Sequence, residues 1–434
     1  MRWPPPHPPP GPTGHNRRVP HTTPAPVPLD SASVRRRNLA LVLQHIAAHG
    51  PCSRSRIAAA VGLVPASVTG LVADLAARGL VQEEAGGTGG GRGRPGRPVR
   101  LAPRRVLAVT VQITLEQLRT QVTDLAGAVM SRADTPHRVR HGGPAPLARA
   151  VAAVVREAED RVRCVPGALL SRVVVAMAGP VTSDASHAVL AATDFGWTAP
   201  VDLGALVTAE LPFLGCPLEV VNDANAAALA EYQALAADRP RPPLGLAYLK
   251  ADTGVGGGLV VGGRIVDGSH GAAIEPGHLP VALDGPPCAC GARGCLAVYA
   301  GPEPLLAAAG LAAALRTDGK DAALAALDRA LHAGDPAALA ALAAAGEAVG
   351  AAILGMVALL DVEEIVLGGY LADWHRWLAP AIDARLAGRR ALAAPWMPRL
   401  TPSTLGTGAT LHGAAALARA AVLDDPGAIP PLSP

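Results

Sequence analysis

The stretch "GLAYLKADTGVGGGLVVGGRIVDG", residues 245–268, contains two apolar runs separated by a glycine-rich segment. Its flanks combine Leu, Val, Ala and Tyr, which suit a pleated apolar strand, whereas the glycines between them allow a tight backbone. The stretch therefore predicts a β-hairpin built around a glycine-rich loop.

Apolar strands alternate with alanine-rich helices on both sides of this hairpin, from Arg104 onward. Residues 105–130 predict paired strands with a turn at 125–127, and residues 171–181 predict a buried strand that leads to a Gly-Pro loop. Residues 217–233 predict a strand, a polar turn and a helix. This alternation predicts α/β architecture for the region.

Residues 337–360 form an apolar run long enough to cross a membrane, with Glu347 as its single charge. The run is mostly alanine, which gains little from lipid. Asp335 and Pro336 supply an N-cap and a first helical residue, and the strand-like "EEIVLGG" at 363–369 follows. These flanks predict a buried core helix rather than a membrane span.

The front of the chain has the pattern of three short helices. The first is predicted after Asp30 or Ser31 as cap, with Gly50 as its end, and the second in "SRSRIAAAVG" at 53–62. The third, in "LVPASVTGLVADLAARGLV" at 63–81, follows a glycine turn. Its inner face is predicted to consist of Val68, Leu71, Val72 and Leu75. Such an arrangement is typical of a helix-turn-helix whose third helix lies in the DNA major groove.

Charge also distinguishes the front of the chain. Residues 1–103 carry 13 Lys/Arg against 4 Asp/Glu, and the remainder carries 25 against 31, which indicates an anionic partner for the front. The segment "VQEEAGGTGGGRGRPGRPVRL", 81–101, predicts a basic wing that enters a DNA minor groove, with an interdomain linker as the alternative. The candidate DNA-binding residues are Arg56, Pro65, Ala66, Ser67, Thr69, Arg92, Arg94 and Arg97.

Residues 1–29 are rich in proline and contain no apolar core of a signal peptide, which predicts a disordered arm in a cytoplasmic protein. Three of the six cysteines, by contrast, lie together in "CACGARGCL" at 288–296. Cys288 and Cys290 are too close for an unstrained disulfide, whereas three thiolates and one imidazole suit tetrahedral zinc. His278 is the candidate fourth ligand, so we predict a structural zinc site made of His278, Cys288, Cys290 and Cys295. The alternative is that the three thiols act as small buried hydrophobes.

These segments, with "VVNDANAAALAE" (220–231), "EPGHL" (275–279) and "IVLGG" (365–369), occur in the order found in the ROK family of repressors, open reading frames and kinases. The resemblance spans roughly residues 35–423. It implies a winged helix-turn-helix followed by a two-lobed, actin-like (sugar kinase/ribonuclease H-like) ATPase fold, with a sugar bound between the lobes. Members with the N-terminal domain are mostly sugar-responsive repressors, and members without it are mostly glucokinases.

The resemblance implies the following division of the chain. The predicted units are an arm (1–29), a winged helix-turn-helix (30–85), a basic wing-linker (86–103), lobe 1 (104–221, completed by a helix at 411–423), lobe 2 with the zinc loop (222–410) and a tail (424–434). The family further implies a homodimer or homotetramer. Its expected partners are a double-stranded DNA operator and a sugar or sugar phosphate, and no membrane partner is expected.

By the same resemblance, Asp223 stands at the position of the catalytic base of the kinases, although an N-cap role for it is equally open. The implied sugar-binding residues are Asp194, Asn222, Asp223, Glu275 and His278. Asp194 and Ala297 depart from the family pattern on this side, which leaves a site for a different sugar, or a decayed site, as alternatives.

The phosphate side departs further from the kinase pattern. Kinase members have two phosphate loops, which match residues 110–118 (the first loop) and 251–259 (the second loop) of this chain. In the first loop, Thr110 stands where kinase members have an aspartate and Gln112 replaces a glycine; in the second loop, Asp252 replaces the leading glycine. A lost carboxylate and an added negative charge both disfavour metal-dependent ATP binding. We therefore expect a regulator without kinase activity, with an ATP-dependent hexokinase that carries a DNA-binding arm as the alternative.

Overall fold

A computed structural model describes residues 30–84, 97–139 and 143–432. The predicted arm, residues 1–29, and two candidate DNA-binding residues, Arg92 and Arg94, lie outside the described residues.

The front of the chain folds into three helices and a two-stranded sheet. The elements are α1 (Ser31–His49), α2 (Arg54–Val61), α3 (Pro65–Ala77), β1 (Val81–Glu83) and β2 (Val99–Leu101), the two strands being antiparallel. Asp30 caps α1, since its Oδ1 accepts a hydrogen bond from the Ser33 N–H at 2.6 Å. Gly62 adopts a left-handed conformation between α2 and α3, with φ of 70°. The predicted inner face of α3 is confirmed, because Val68, Leu71, Val72 and Leu75 are all buried.

A five-stranded sheet follows, with strand order β5-β4-β3-β6-β7. Its strands are β3 (Val106–Ile113), β4 (Gln117–Asp124), β5 (Val129–Pro136), β6 (Leu169–Met177) and β7 (Leu218–Asn222). β3, β6 and β7 are parallel, whereas β4 and β5 form antiparallel hairpins with their neighbours. Helices α4 (Pro144–Arg163) and α5 (Leu203–Ala209) lie in the same region, and α4 buries a continuous apolar face.

A second five-stranded sheet has the order β10-β9-β8-β11-β12. Its strands are β8 (Gly245–Ala251), β9 (Val255–Val261), β10 (Arg264–Ile265), β11 (Glu364–Gly369) and β12 (Arg399–Pro402). The predicted hairpin at 245–268 is confirmed by the antiparallel pairing of β8 with β9. Gly256, Gly257 and Gly258, which were expected in the loop, lie instead in β9. The helices of this half are α6 (Asp223–Asp238), α7 (Ala297–Ala300), α8 (Pro302–Ala308), α9 (Ala312–Asp318), α10 (Lys320–His332), α11 (Pro336–Leu360), α12 (Tyr370–Asp373) and α13 (His375–Ala393). A further helix, α14 (Ala409–Asp424), follows β12 and packs on the first sheet.

The apolar helix α11 is long enough to cross a membrane by length and composition, but it packs within the second half of the molecule. Asp335 caps it as predicted, accepting a hydrogen bond from the Ala338 N–H at 2.9 Å. Val349 and Ile353 are buried in the same cluster as Ile365 of β11, Leu378 and Ile382 of α13. The prediction of a core helix agrees with this packing.

The last helix, α14, connects all parts of the fold. It packs closely on α6, where a Cβ on Gly413 would lie 1.7 Å from the Ala226 carbonyl oxygen. Ala414 and Ala418 pack on the first sheet. Arg419 donates from Nη2 to the Ala47 carbonyl oxygen of α1 at 3.2 Å, so the three-helix unit is docked on the end of this helix.

Candidate functional site

The four predicted metal ligands come together in one cluster. One ligand atom from each of His278, Cys288, Cys290 and Cys295 lies within 4.8 Å of every other. Cys290 Sγ is 3.7 Å from Cys295 Sγ, and Cys288 Sγ is 3.6 Å from His278 Nδ1. A tetrahedral ion with metal–sulfur bonds of about 2.3 Å places its thiolates about 3.8 Å apart, so the donor set fits zinc.

Local backbone geometry explains how so short a segment gathers three thiols. Gly291 and Gly294 have φ of 91° and 66°, in the left-handed region that favours glycine. A Cβ on Gly294 would lie 1.7 Å from the Ala282 carbonyl oxygen, so the chain can pass this point only as glycine. Burial lowers the pKa of His278 and favours its neutral form, the form that binds a metal.

The predicted polar turn is absent, because β7 ends at Asn222 and α6 begins at Asp223, which places both residues at the junction of the two halves. Asn222 caps α6, because its Oδ1 accepts from the Asn225 N–H at 2.8 Å, and its Nδ2 donates to the Gly179 carbonyl oxygen. The alternative structural role of Asp223 as N-cap is therefore wrong: the helix begins one residue earlier than that role requires, at Asp223 itself. The Asp223 side chain is left to make a different contact.

That contact is an ion pair with Lys250, which sequence analysis did not single out. Lys250 Nζ lies 2.5 Å from Asp223 Oδ2 and 3.0 Å from Asp252 Oδ2, and the lysine side chain is only 5% exposed. Burial by itself lowers the pKa of Lys250, but the two carboxylates outweigh it and raise the pKa above its ordinary value. The ammonium therefore remains charged and neutralises part of the extra negative charge that Asp252 brings to the second loop.

The substituted first loop lies on β3. Thr110 is fully buried and its hydroxyl donates to the Gln121 carbonyl oxygen at 3.3 Å, across the hairpin. Gln112 is 5% exposed, and its Oε1 has no hydrogen-bond partner within the described part of the chain. Gln112, Lys250 and Asp252 line a cavity of 450 Å³, together with Thr253 of the second loop.

The other candidate sugar-binding residues approach the same loops. Glu275 follows β10 and precedes the turn that carries His278. Burial raises the pKa of Glu275 to about 7, and the nearby Asp223 carboxylate adds to the shift. Asp194 approaches the second loop, since its Oδ2 lies 3.4 Å from where a Cβ on Gly254 would be. Asp223 and Glu275, 52 positions apart in the sequence, are thus close enough for their charges to interact.

The candidate DNA-binding residues within the described chain lie on the front unit. Exposed positions among them are Arg56, Pro65, Ala66, Ser67, Thr69 and Arg97. The Thr69 hydroxyl donates to the Pro65 carbonyl oxygen at 3.0 Å. Arg97 Nη1 is 3.9 Å from Glu83 Oε2, so this arginine is loosely held at the base of the segment that joins β1 to β2.

Comparison with known proteins gives one family match: the ROK family, over residues 108–421. A kanosamine kinase from Amycolatopsis mediterranei is 33% identical over 253 residues, covering 58% of this chain and 78% of the kinase. A xylose repressor from Bacillus spizizenii is 24% identical over 387 residues, covering 88% of this chain and 95% of the repressor.

Among solved structures, too, a regulator covers more of this chain than a kinase does. A ROK family transcriptional regulator, a homologue of the Escherichia coli MLC protein, has a TM-score of 0.74 at 23% identity and covers 90% of this chain and 97% of its own. A ROK family glucokinase from Streptomyces griseus, in complex with glucose and AMPPNP, has a TM-score of 0.59 at 28% identity. It covers 72% of this chain and 99% of its own. The kinase is thus matched almost whole without the rest of this chain.

Proposed function

Because the chain belongs to the ROK family, we propose that it is a sugar-responsive transcription regulator that represses genes of carbohydrate uptake or catabolism. One observation carries the proposal. The family match begins at residue 108, and the described residues before it, 30–84 and 97–107, include three helices and a two-stranded sheet. Relatives described as regulators cover 88–90% of this chain, whereas the glucokinase covers 72%.

The front unit supplies the proposed DNA-binding domain, a winged helix-turn-helix. Helix α3 would be the recognition helix, and its exposed Pro65, Ala66, Ser67 and Thr69 are small enough for close approach to base edges and phosphates. Arg56 and the arginines of the β1–β2 connection, Arg92, Arg94 and Arg97, would contact phosphates and the minor groove. The excess of 13 Lys/Arg over 4 Asp/Glu in residues 1–103 supports this assignment.

The two predicted lobes, residues 104–221 and 222–410, supply the proposed effector domain. Asp194, Asn222, Asp223, Glu275 and His278 would bind sugar hydroxyls, for which carboxylates are strong acceptors. His278, Cys288, Cys290 and Cys295 would hold a structural zinc ion, which would fix the loop that presents His278 to the sugar. The relatives include kinases of two amino sugars, kanosamine and N-acetylmannosamine, which supports a sugar as the ligand class.

Three features argue against the alternative, an ATP-dependent hexokinase. The Asp223 carboxylate is bound by Lys250, so it would have to leave an ion pair before it could accept a proton from a sugar hydroxyl. Thr110 offers a hydroxyl, committed to a backbone carbonyl, in place of a metal-binding carboxylate. Gln112 adds a side chain where the family pattern has a glycine. The kinases among the relatives keep this alternative as the second candidate.

The remaining assignments form part of the same proposal. The chain would be divided as the sequence predicts, with the lobes meeting between β7 and α6 and α14 completing the first lobe. The protein would act in the cytoplasm as a homodimer or homotetramer, so that two recognition helices read a pseudo-palindromic operator.

The proposal is tested with the purified chain and its own promoter fragment. DNA affinity is measured across a panel of hexoses, amino sugars and their phosphates, and ATP hydrolysis is followed in parallel. We expect one sugar to change DNA affinity without turnover. Glu275→Ala should abolish that response and leave DNA affinity intact, whereas Glu347→Ala, an exposed control on α11, should behave as wild type. Sugar-dependent ADP release would establish the hexokinase instead.

A further inference from the structure

The residues that follow α14 return to the front unit, which consists of α1, α2, α3, β1 and β2. This C-terminal segment, residues 425–432, directly continues α14. Its Ile429 is 5% exposed and belongs to the same apolar cluster as Leu43 of α1 and Leu71 of α3. The apolar core of the front unit is therefore completed by the other end of the chain.

The C-terminal segment also caps α3, the proposed recognition helix. The last carbonyl groups of a helix have no partner within the helix and need one from outside. Ala77 is the last residue of α3, and its carbonyl oxygen accepts a hydrogen bond from the Leu432 N–H at 2.8 Å. The end of α3 is thus held by a backbone donor from the far end of the sequence.

Arg78, which follows Ala77, makes a second connection. Its Nε donates to Asp74 Oδ1 at 2.9 Å, within the last turn of α3. Its Nη1 donates to the carbonyl oxygen of Gly427 at 3.0 Å and to that of Ile429. A guanidinium has five N–H donors in one plane, so it can hold three acceptors at once. Arg78 therefore ties the last turn of α3 to two backbone groups of the C-terminal segment.

The C-terminal segment is anchored at its start through α14. Gly413 of this helix packs on α6, and Ala414 and Ala418 pack on the first sheet. At the end of the helix, Asp424 Oδ1 accepts a hydrogen bond from Gln44 Nε2 of α1 at 2.7 Å. The segment therefore fixes α3 relative to both five-stranded halves of the molecule as well as relative to α1.

We propose that Arg78 and the C-terminal segment position the recognition helix for DNA, so that the two recognition helices of a homodimer match the spacing of the operator half-sites. The inference rests on the proposed function and adds a positioning residue to it. The candidate DNA-binding residues of α3 begin at Pro65, about 20 Å along the helix from Arg78. A tilt of about 10° at the held end moves Pro65 by about 3 Å, more than a hydrogen bond to a base tolerates.

Specific and non-specific DNA binding depend differently on such positioning. Non-specific binding arises from phosphate contacts, which carry no sequence information, whereas base contacts require one orientation of the recognition helix. A misplaced α3 therefore loses affinity for the operator and keeps its affinity for other DNA. A front unit that unfolds loses both affinities. The ratio of the two affinities thus separates positioning from a purely structural role.

The test uses the full chain, its own promoter fragment and a scrambled fragment of the same length and composition. Arg78→Gln should lower the affinity for the promoter by about tenfold, the effect of losing one specific contact, and the affinity for the scrambled fragment by less than about twofold. Arg35→Gln is the matched control, because it removes the same charge and the other ion pair of Asp74. We expect this control to keep the wild-type ratio.

Leu432→Pro tests the connection from the C-terminal segment and leaves the sequence of the front unit unchanged. Proline has no N–H to donate to the Ala77 carbonyl oxygen, so this variant should also lower the affinity for the promoter selectively. Leu432→Ala keeps the N–H and is its matched control. Thermal unfolding shows whether each variant is folded, and two variants at opposite ends of the chain protect the test against the failure of one.

An unchanged ratio of promoter affinity to scrambled affinity in both Arg78→Gln and Leu432→Pro would overturn the inference and leave the proposed function standing. Equal losses of the two affinities would show that these contacts only stabilise the front unit, which would also overturn it. A wild-type chain without preference for its promoter would overturn the proposed function, and this inference with it.

Discussion

Lys250 Nζ lies 2.5 Å from Oδ2 of Asp223, and this contact joins the end of β8 to the first turn of α6. Both side chains are almost completely buried, at 5% and 7% exposed. Lys250 also binds Asp252, so one ammonium is shared by two carboxylates and the trio keeps one net negative charge. The position of the kinase base in the family is thus part of a structural ion-pair network in this chain.

Removing the charge of Lys250 should destabilise the protein. Lys250→Met keeps most of the side-chain volume but leaves two buried carboxylates without a cation, and the expected loss in free energy of unfolding is about 3–5 kcal/mol. Chemical denaturation followed by circular dichroism measures it. Asp223→Asn should relieve part of this loss in the double variant. Strictly additive effects of the two substitutions would contradict a direct interaction.

Zinc binding by the cluster of His278, Cys288, Cys290 and Cys295 should depend on its cysteines. Cys290→Ser should lower the bound zinc from one ion per chain to a small fraction, because a hydroxyl is a much poorer ligand than a thiolate. The same variant should unfold at a lower temperature. Cys164→Ser, at an exposed position remote in sequence from the cluster, is the control. Full zinc content in Cys290→Ser, by elemental analysis, would remove this residue from the proposed site.

The arginines of the β1–β2 connection should contribute to DNA affinity through phosphate contacts. Replacing Arg92 and Arg94 together by glutamine should weaken promoter binding and reduce the slope of log affinity against log salt by about 1.8, since each contact contributes about 0.9. Arg161→Gln with Arg163→Gln, on α4, removes the same charge elsewhere. An unchanged slope in the first variant would reduce the segment to a linker.

The docking of the front unit on α14 should depend on Arg419. Its Nε donates to the Leu125 carbonyl oxygen at 3.0 Å and its Nη2 to the Ala47 carbonyl oxygen at 3.2 Å, so Arg419→Met leaves two carbonyls without this donor. We expect a loss of about 1–3 kcal/mol. Hydrogen exchange of α1 should become faster, while that of α11 should not change. Equal changes in both helices would indicate general destabilisation instead of undocking.

Local patterns in the sequence determined much of this protein. Helix caps such as Asp30 and Asp335, the buried face of α3 and the hairpin of β8 and β9 follow from short-range periodicity and from the turn residues between elements. The metal cluster could also be predicted from the sequence, because Cys288, Cys290 and Cys295 lie in one loop and His278 is only ten residues upstream. Contacts of this range are fixed by local backbone geometry, which single residues encode.

Only the tertiary structure decided which distant groups meet. The pairing of Lys250 with Asp223 spans 27 residues and depends on how α6 packs beside β8, and the bond from Arg419 to Ala47 spans 372 residues. Asn222, and not Asp223, became the cap of α6, which left the aspartate for the lysine. Gln112 and Arg119 line one cavity together with Lys320 of α10, which is more than 200 residues away in the sequence. Such contacts arise from the packing of whole elements, so no local pattern in the sequence specifies them.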